Sequence, residues 1–275
     1  LYKIQDTGDM LYRVTQVIPV PVAEVDGEKV RYSDYLMIFR SNLVTSEQQG
    51  GVLEDGEDTS ALEDVYKRAA LESAIEYAYA LNLGRELGVS VTNEEIDGAF
   101  DEHRRVGGVE RSEESFLKIV SDNFGMNKTE YRRMLYLTLM KAKVSQAIDA
   151  PAREVADQIE QLLAENGGDM AAVAEALGGS VAYEETGQLV DNMNVDGGRS
   201  NMAMTMEVGA ISSRFLSSNG DGYYFVKLIE KTDSQVNYAS LKILLTEFDL
   251  RMADLYEEGR VELYIKLEDE NQAAG

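Results

Sequence analysis

The chain has 275 residues, 44% of them hydrophobic, enough for a sizeable core in one large domain or two ordinary ones. Fifty acidic against 26 basic residues leave a net charge of −24, which repels phosphate backbones and anionic headgroups and argues against nucleic acid as a partner. The lack of cysteine excludes disulfides, thiolate nucleophiles and cysteine metal sites, and no apolar run reaches the roughly 20 residues of a spanning helix.

The chain starts at Leu1 rather than methionine; a removed signal peptide or membrane anchor fits that start, and so does simple trimming. Residues 11–25, "LYRVTQVIPVPVAEV", are rich in β-branched side chains with prolines at 19 and 21, which predicts an extended edge segment. A turn at Asp26-Gly27 follows. Ser33 then stands as a helix cap before Leu36, Ile38, Phe39 and Leu43 at helical spacing. The polar acidic stretch "EQQGGVLEDGEDTS" reads as a loop, and its run Glu54–Asp58 as a solvated one rather than a cation trap.

From Ser60 the pattern is helical for nearly 90 residues, with predicted helices at 61–87, 93–105, 113–123 and 128–148. Ser60 with Glu63, Thr92 with Glu95, and Asn127 with Glu130 fit capping boxes, Asn127 being the loosest of the three. Gly88, Gly107-Gly108 and Gly125 sit where helices end, and Pro151 is expected to close the array. Beyond it come an amphipathic helix at 152–165, a short helix in "GGDMAAVAEALGG" and a loop or strand in "SVAYEETGQLV". A strand in "YYFVKLIEK", a strand or buried helix start in "VNYASLKILLTEF" and a final strand in "EGRVELYIKL" complete the order.

Few residues suggest chemistry. His103, the single histidine, lies near a helix end and reads as a solvated group that suits the helix C-terminus. Fifty carboxylates produce accidental pairs everywhere, so a glycosidase-like acid pair carries no weight. "NMNVDGG" places Asn192, Asn194, Asp196 and Gly197 like the opening of a calcium loop, but Ala203 occupies the position of the closing glutamate. Met202, Met204 and Met206 alternate, with Phe215 and Leu216 shortly after. Their bland reading is one packed strand face; their functional reading is an adaptable apolar groove, since thioethers repack against many partners.

Taken in order, "IPVPVAEVDGEKVRYSDYL", a long helix, "ELGVSVTNEEIDGAF" and "EESFLKIVSDNFGMNKTEYRRML" resemble the N-terminal chaperone domain of SurA-like proteins. The stretch from "AREVADQIEQLLAENGGDMAAVAEAL" to "EVGAISSRFLSSNGDGYYFVKLIEK" resembles a parvulin-type peptidyl-prolyl isomerase domain, so the likeness covers about residues 17–231. The resemblance implies an extracytoplasmic folding factor similar to SurA and PrsA, exported or held by an anchor. It also implies two histidines that this chain lacks. There is no room for the first, histidine-bearing strand between Ile148 and Ala152, and Gly222, Tyr223 and Tyr224 fill the closing motif with a tyrosine in the second histidine's place. Residues 238–246, with Ile243 and Leu245, are expected to supply the missing strand.

The expectation is therefore an α+β protein: a helical chaperone-like domain at 1–150, a parvulin-like domain at 151–235, and a segment 236–275 that packs back on both, its last strand pairing with the N-terminal extended segment. The expected function is non-catalytic binding of unfolded or exported polypeptides, with Met202, Met204, Met206, Phe215, Leu216 and Tyr224 lining the peptide site. Neither cofactor nor catalytic residue is expected, and a membrane enters only through a removed anchor. An active isomerase and a surface-anchored scaffold or adhesion module are the rival readings.

Overall fold

The computed structural model describes residues 8–48, 59–106, 109–192, 196–218 and 220–265. The acidic loop with Glu54–Asp58, Gly107-Gly108, Asn194 and the C-terminal tail lie outside them. The fold is α+β and mostly helical, with small antiparallel sheets. The chain divides into two compact units, the first comprising Leu1–Arg104, Arg111–Lys141 and Arg251–Gly275, the second Arg105–Glu110 and Ala142–Leu250. The segment 236–275 is thus shared between the units at Leu250/Arg251.

In the first unit, helix α1 (Asp9–Val17) precedes a hairpin of β1 (Pro21–Val25) and β2 (Glu28–Arg31). Two sequence expectations fail here. Residues 9–17 are helical because Leu11, Tyr12 and Thr15 share one buried face, a tertiary gain that outweighs the β-branched propensity of the segment. β1 is also the centre, not the edge, of a three-stranded sheet in the order β10-β1-β2, where β10 is Val261–Leu263. Pro21 is tolerated because it is the first residue of the strand. The last strand pairs with the N-terminal extended segment as expected, with Ala23 opposite Leu263 and Val25 opposite Val261.

Helices α2 (Tyr32–Gln48), α3 (Thr59–Leu87), α4 (Asn93–Arg104), α5 (Glu113–Phe124) and α6 (Lys128–Ile148) follow, with a two-stranded hairpin of β3 (Arg105–Val106) and β4 (Val109–Glu110) after α4. Two of the capping boxes are complete. Thr92 N donates to Glu95 at 2.8 Å while Glu95 N donates to Thr92 Oγ1 at 3.2 Å. Asn127 N donates to Glu130 at 2.8 Å while Glu130 N donates to Asn127 Oδ1 at 3.1 Å. The side chain of Ser60 lies outside the described residues. The core is built on Tyr32, Tyr35, Leu36 and Phe39 of α2 against Ala70, Leu71, Ala74 and Ile75 of α3, with Tyr35 stacked on Phe39 at 6.3 Å.

The second unit is a layered sheet in the order β5-β9-β8-β7, made of β5 (Ala182–Glu185), β7 (Phe215–Leu216), β8 (Gly222–Lys231) and β9 (Gln235–Leu244), with β6 (Val190–Asp191) also paired to β9. Residues 238–244 are a strand hydrogen-bonded to β8, and Ile243 and Leu245 are both buried. One sheet face (Tyr223, Phe225, Leu241, Ile243) packs on α7 (Ala150–Glu165) and α8 (Met170–Leu177). The other face (Val226, Leu228, Val236, Tyr238) takes Ala203 of α9 (Arg199–Met204). Gly222 lets β8 and β9 approach closely, since a Cβ there would meet the Ile243 carbonyl oxygen at 2.3 Å.

Pro151 does not end the helical array. It sits in the first turn of α7, where no amide hydrogen is required, and only Asp149 interrupts the run. Asp149, 1% exposed, caps α7 by accepting from Ala152 N at 2.9 Å. Its second oxygen accepts from Thr246 N at 2.7 Å and Glu247 N at 3.0 Å, where helix α10 (Glu247–Glu257) begins. Replacing Asp149 by Ala removes the α7 cap and the acceptor of the buried Ala152 and part-buried Thr246 and Glu247 amides, which predicts a loss of about 3 kcal/mol. Asp149→Asn keeps one acceptor and is expected to lose about half of that, as chemical denaturation would show.

Candidate functional site

The structure places the six predicted residues around one sheet but not on one surface. Met202, Met204, Met206 and Phe215 pack against the face carrying Val226, Leu228, Val236 and Tyr238. Leu216 packs against the opposite face, with Tyr223 and the α7–α8 layer. Phe215 and Leu216 are adjacent in a strand, so their side chains point to opposite sides. The methionine alternation is not a strand face either. Met202 and Met204 belong to α9, with Met206 just beyond it, and all three are half-buried around Ala203. The 3.6-residue period of a short helix mimicked the period of two over five positions.

Tyr224 is buried, paired across the sheet with Phe215 on one side and Lys242 on the other. Its ring lies 5.9 Å from that of Phe215. The Arg199 guanidinium stands 5.0 Å and the Lys242 ammonium 5.5 Å from its centroid, so two cations meet the negative face of one ring. Lys242 also pairs with Asp221 at 2.6 Å.

Behind Tyr224 lies a network that sequence reasoning missed. The buried carboxylate of Asp196 accepts from Tyr238 OH at 2.6 Å, from Ser200 N at 3.0 Å and from the Ser200 hydroxyl. Arg199 donates from Nε to the Asp196 carbonyl at 2.8 Å and from Nη1 to Glu184 and, at 3.2 Å, to Ser240 Oγ. Burial first, and then the Asp196 bond, raise the Tyr238 phenol well above its ordinary value, so it stays a donor. The network fastens α9 to the sheet. Among the described residues, every buried side-chain nitrogen and oxygen has a partner. Asp196, weighed above as a calcium ligand, spends its oxygens inside the protein, and no cluster of metal-ligating side chains occurs among the described residues. The cue in the sequence was Asp196 four residues before Ser200, the spacing of a helix start.

Open space lies in the first unit. A cleft of about 600 Å³ is lined by Tyr12, Arg13, Gln16, Arg40, Met126 and Lys128, with Arg40 4.2 Å above the Tyr12 ring and bonded to Glu130 at 3.0 Å. A second, of about 370 Å³, has an apolar floor of Ala74, Ala78, Leu81, Val89, Val91 and Met140 and a charged rim of Lys29, Arg31, Arg85, Arg133, Glu28 and Asp34. There Arg133 grips Asp34 with two hydrogen bonds, at 3.1 and 2.6 Å. His103 is exposed, but its Nδ1 lies 2.7 Å from Tyr131 OH, and desolvation lowers its pKa. It stands exposed in the last turn of α4, as expected, and adds a polar contact to the Phe100–Phe116–Tyr131 cluster.

Two predictions follow from the Tyr224 environment. Gly197 has φ of +73°, and a Cβ there would meet the Tyr224 ring at 2.9 Å. Gly197→Ala should therefore lower stability by about 2 kcal/mol, combining left-handed strain and overpacking, in a denaturant titration. Burial acts to raise the Asp221 carboxyl, but hydrogen bonds from Lys242 and Ser217 outweigh it and hold the pKa below the usual range. A depressed folded pKa means the unfolded chain binds more protons, so this stabilisation is complete above about pH 4 and fades as pH falls through the folded value. Asp221→Asn should be less stable than the parent at pH 7 and indistinguishable from it in strong acid, when both are melted across that range. No protein-family model matches the chain, and no curated protein matches it.

Proposed function

We propose that the protein is a holding chaperone, a SurA/PrsA-like folding factor that binds unfolded or exported polypeptides without turning them over. The single observation that carries this reading is the pairing of Tyr224 with Lys242 across β8 and β9. On the proposed likeness, β9 takes the place of the family's first strand, and the two sites where imidazoles are implied hold a phenol and an ammonium. Isomerisation has to lower a barrier of about 18–20 kcal/mol by gripping a twisted amide in an apolar pocket. Here the Tyr224 ring is covered by Phe215, Arg199, Lys242 and the Gly197 backbone, with 3% of its surface exposed.

Affinity for unfolded chains is supported by the first unit. Helix α1 exposes Met10 (83%), Val14 (40%) and Val17 (83%) at i, i+4 and i+7, followed by Ile18 (56%), while its other side is buried. Such a stripe offers an apolar surface to any exposed hydrophobic segment. The charge of −24 keeps a loaded complex soluble. No helix among the described residues is long and apolar enough to cross a membrane, and residence outside the cytoplasm belongs to this proposal as an implication of the likeness.

Equimolar protein should at least halve the light scattering of a denatured reporter enzyme diluted into buffer, and Met10→Ser/Val14→Ser/Val17→Ser should weaken that protection with little change in its own melting. Proline-peptide isomerisation should run at the buffer rate throughout. Undiminished reporter aggregation, or clear acceleration of isomerisation, would overturn the reading.

A further inference from the structure

Among the described residues the three-stranded sheet ends at β2, which pairs with β1 on one side and with no described strand on the other. Val25 and Glu28 close the two-residue turn as directly opposed partners, so Lys29, opposite Glu24, turns its backbone N–H and C=O away from β1. The 370 Å³ cleft includes Glu28, Lys29 and Arg31 of this same strand, so it lies along the free edge. Edge, floor and rim therefore belong to one place within the first unit.

Side-chain direction completes the pattern. Val30 is 1% exposed and points to the buried side, whereas Lys29 and Arg31 are exposed and share the opposite side of the strand. Neither cation has an ion partner among the described residues, while the other two rim arginines are taken, Arg85 by Glu28 and Arg133 by Asp34. The rim holds four cations and two carboxylates within a chain of charge −24, so its local sign opposes that of the molecule. Charges at a strand edge commonly serve to block unwanted pairing. That role does not account for an apolar-floored cleft running beside the edge.

We propose that the β2 edge and its cleft accept an extended polypeptide segment that alternates apolar and acidic side chains. The incoming backbone continues the ladder at Lys29. Its apolar side chains fall on the Val30 side, over Ala74, Ala78, Leu81 and Met140, and its carboxylates meet Lys29 and Arg31 on the other. Strand addition supplies affinity through main-chain hydrogen bonds, and alternate side chains supply selectivity. Four residues in β2 limit the paired stretch to a similar length. This inference deepens the chaperone reading by naming where, and what kind of, segment is gripped.

The test uses the full chain and a fluorescein-labelled ten-residue peptide of alternating valine and glutamate, read by anisotropy at low and high salt. Saturable binding is expected, at least tenfold weaker for Lys29→Gln/Arg31→Gln and for high salt, and unchanged for the control Lys118→Gln on α5. A valine–lysine peptide should not bind, and N-methylation of alternate peptide amides should abolish binding. Equal binding of acidic and basic peptides, an unaffected double variant, or an N-methylated peptide that binds as well would overturn the inference. So would a double variant that self-associates yet binds peptide like the parent, which is the signature of edge protection alone. Peptide binding without reporter protection would sink the chaperone reading and leave this site standing; reporter protection by the parent without peptide binding would do the reverse.

Discussion

A single buried carboxylate sets the frame of the second unit. Asp149 stands where α6 stops, and its two oxygens are divided between the first turn of α7 and the first amides of α10. Placing a carboxylate at 1% exposure is costly, and three backbone N–H donors together with two helix N-termini offset that cost. The consequence reaches the sheet. β9 ends at Leu244 and α10 begins at Glu247, so anchoring Thr246 and Glu247 to the start of α7 fixes the end of the central strand against the helix that packs on it through Ala152, Ala156 and Ile159. Leu241 and Ile243 meet that helix only in this register, because a slip of one residue would turn them to the α9 side.

Helix starts were the most legible feature of the sequence, because a capping box states its own hydrogen bonds. The Thr92–Glu95 and Asn127–Glu130 pairs form as read, and all four helices of the central run appear within two residues of their expected limits. What failed was local propensity where tertiary burial decides. Val14, Thr15 and Val17 favour a strand, yet Leu11, Tyr12 and Thr15 bury one helical face. Pro21 suggested an edge because a proline removes one ladder bond, but at a strand's first residue that loss does not matter. The alternation of Met202, Met204 and Met206 spans five residues, too few to separate the two periods. The Tyr238 arm of the Asp196 network is out of reach of the sequence because it joins residues 42 positions apart through a pairing that only the sheet creates.

Charge is distributed against the composition. An average of the sequence describes an acidic surface, but the 600 and 370 Å³ clefts among the described residues of the first unit are rimmed with arginine and lysine. Long-range repulsion and short-range attraction act over different distances. At physiological ionic strength, screening cuts off the summed field within about 8 Å, whereas a cation at a partly desolvated rim acts at contact. Such a distribution opposes polyanions at a distance while presenting cations at a few chosen spots.

The same contrast separates the two units in their capacity for ligands. The sheet unit presents no open face at Tyr224: Phe215 covers one side of the ring, Arg199 and Lys242 occupy its electron-rich face, and Gly197 approaches so closely that one methyl group would clash. Admitting a substrate amide there would require lifting α9, and lifting α9 with the Asp196 that precedes it would break the Tyr238 bond to that buried carboxylate and the Arg199 bonds to Glu184 and Ser240, a cost of a few kcal/mol. Binding energy from a short peptide segment would be consumed by that opening before any of it could act on a transition state. On the proposed reading, the unit that resembles an isomerase is therefore held shut by its own polar network, and the grip on a client falls to the helical unit, where clefts and an exposed apolar helix face already stand open.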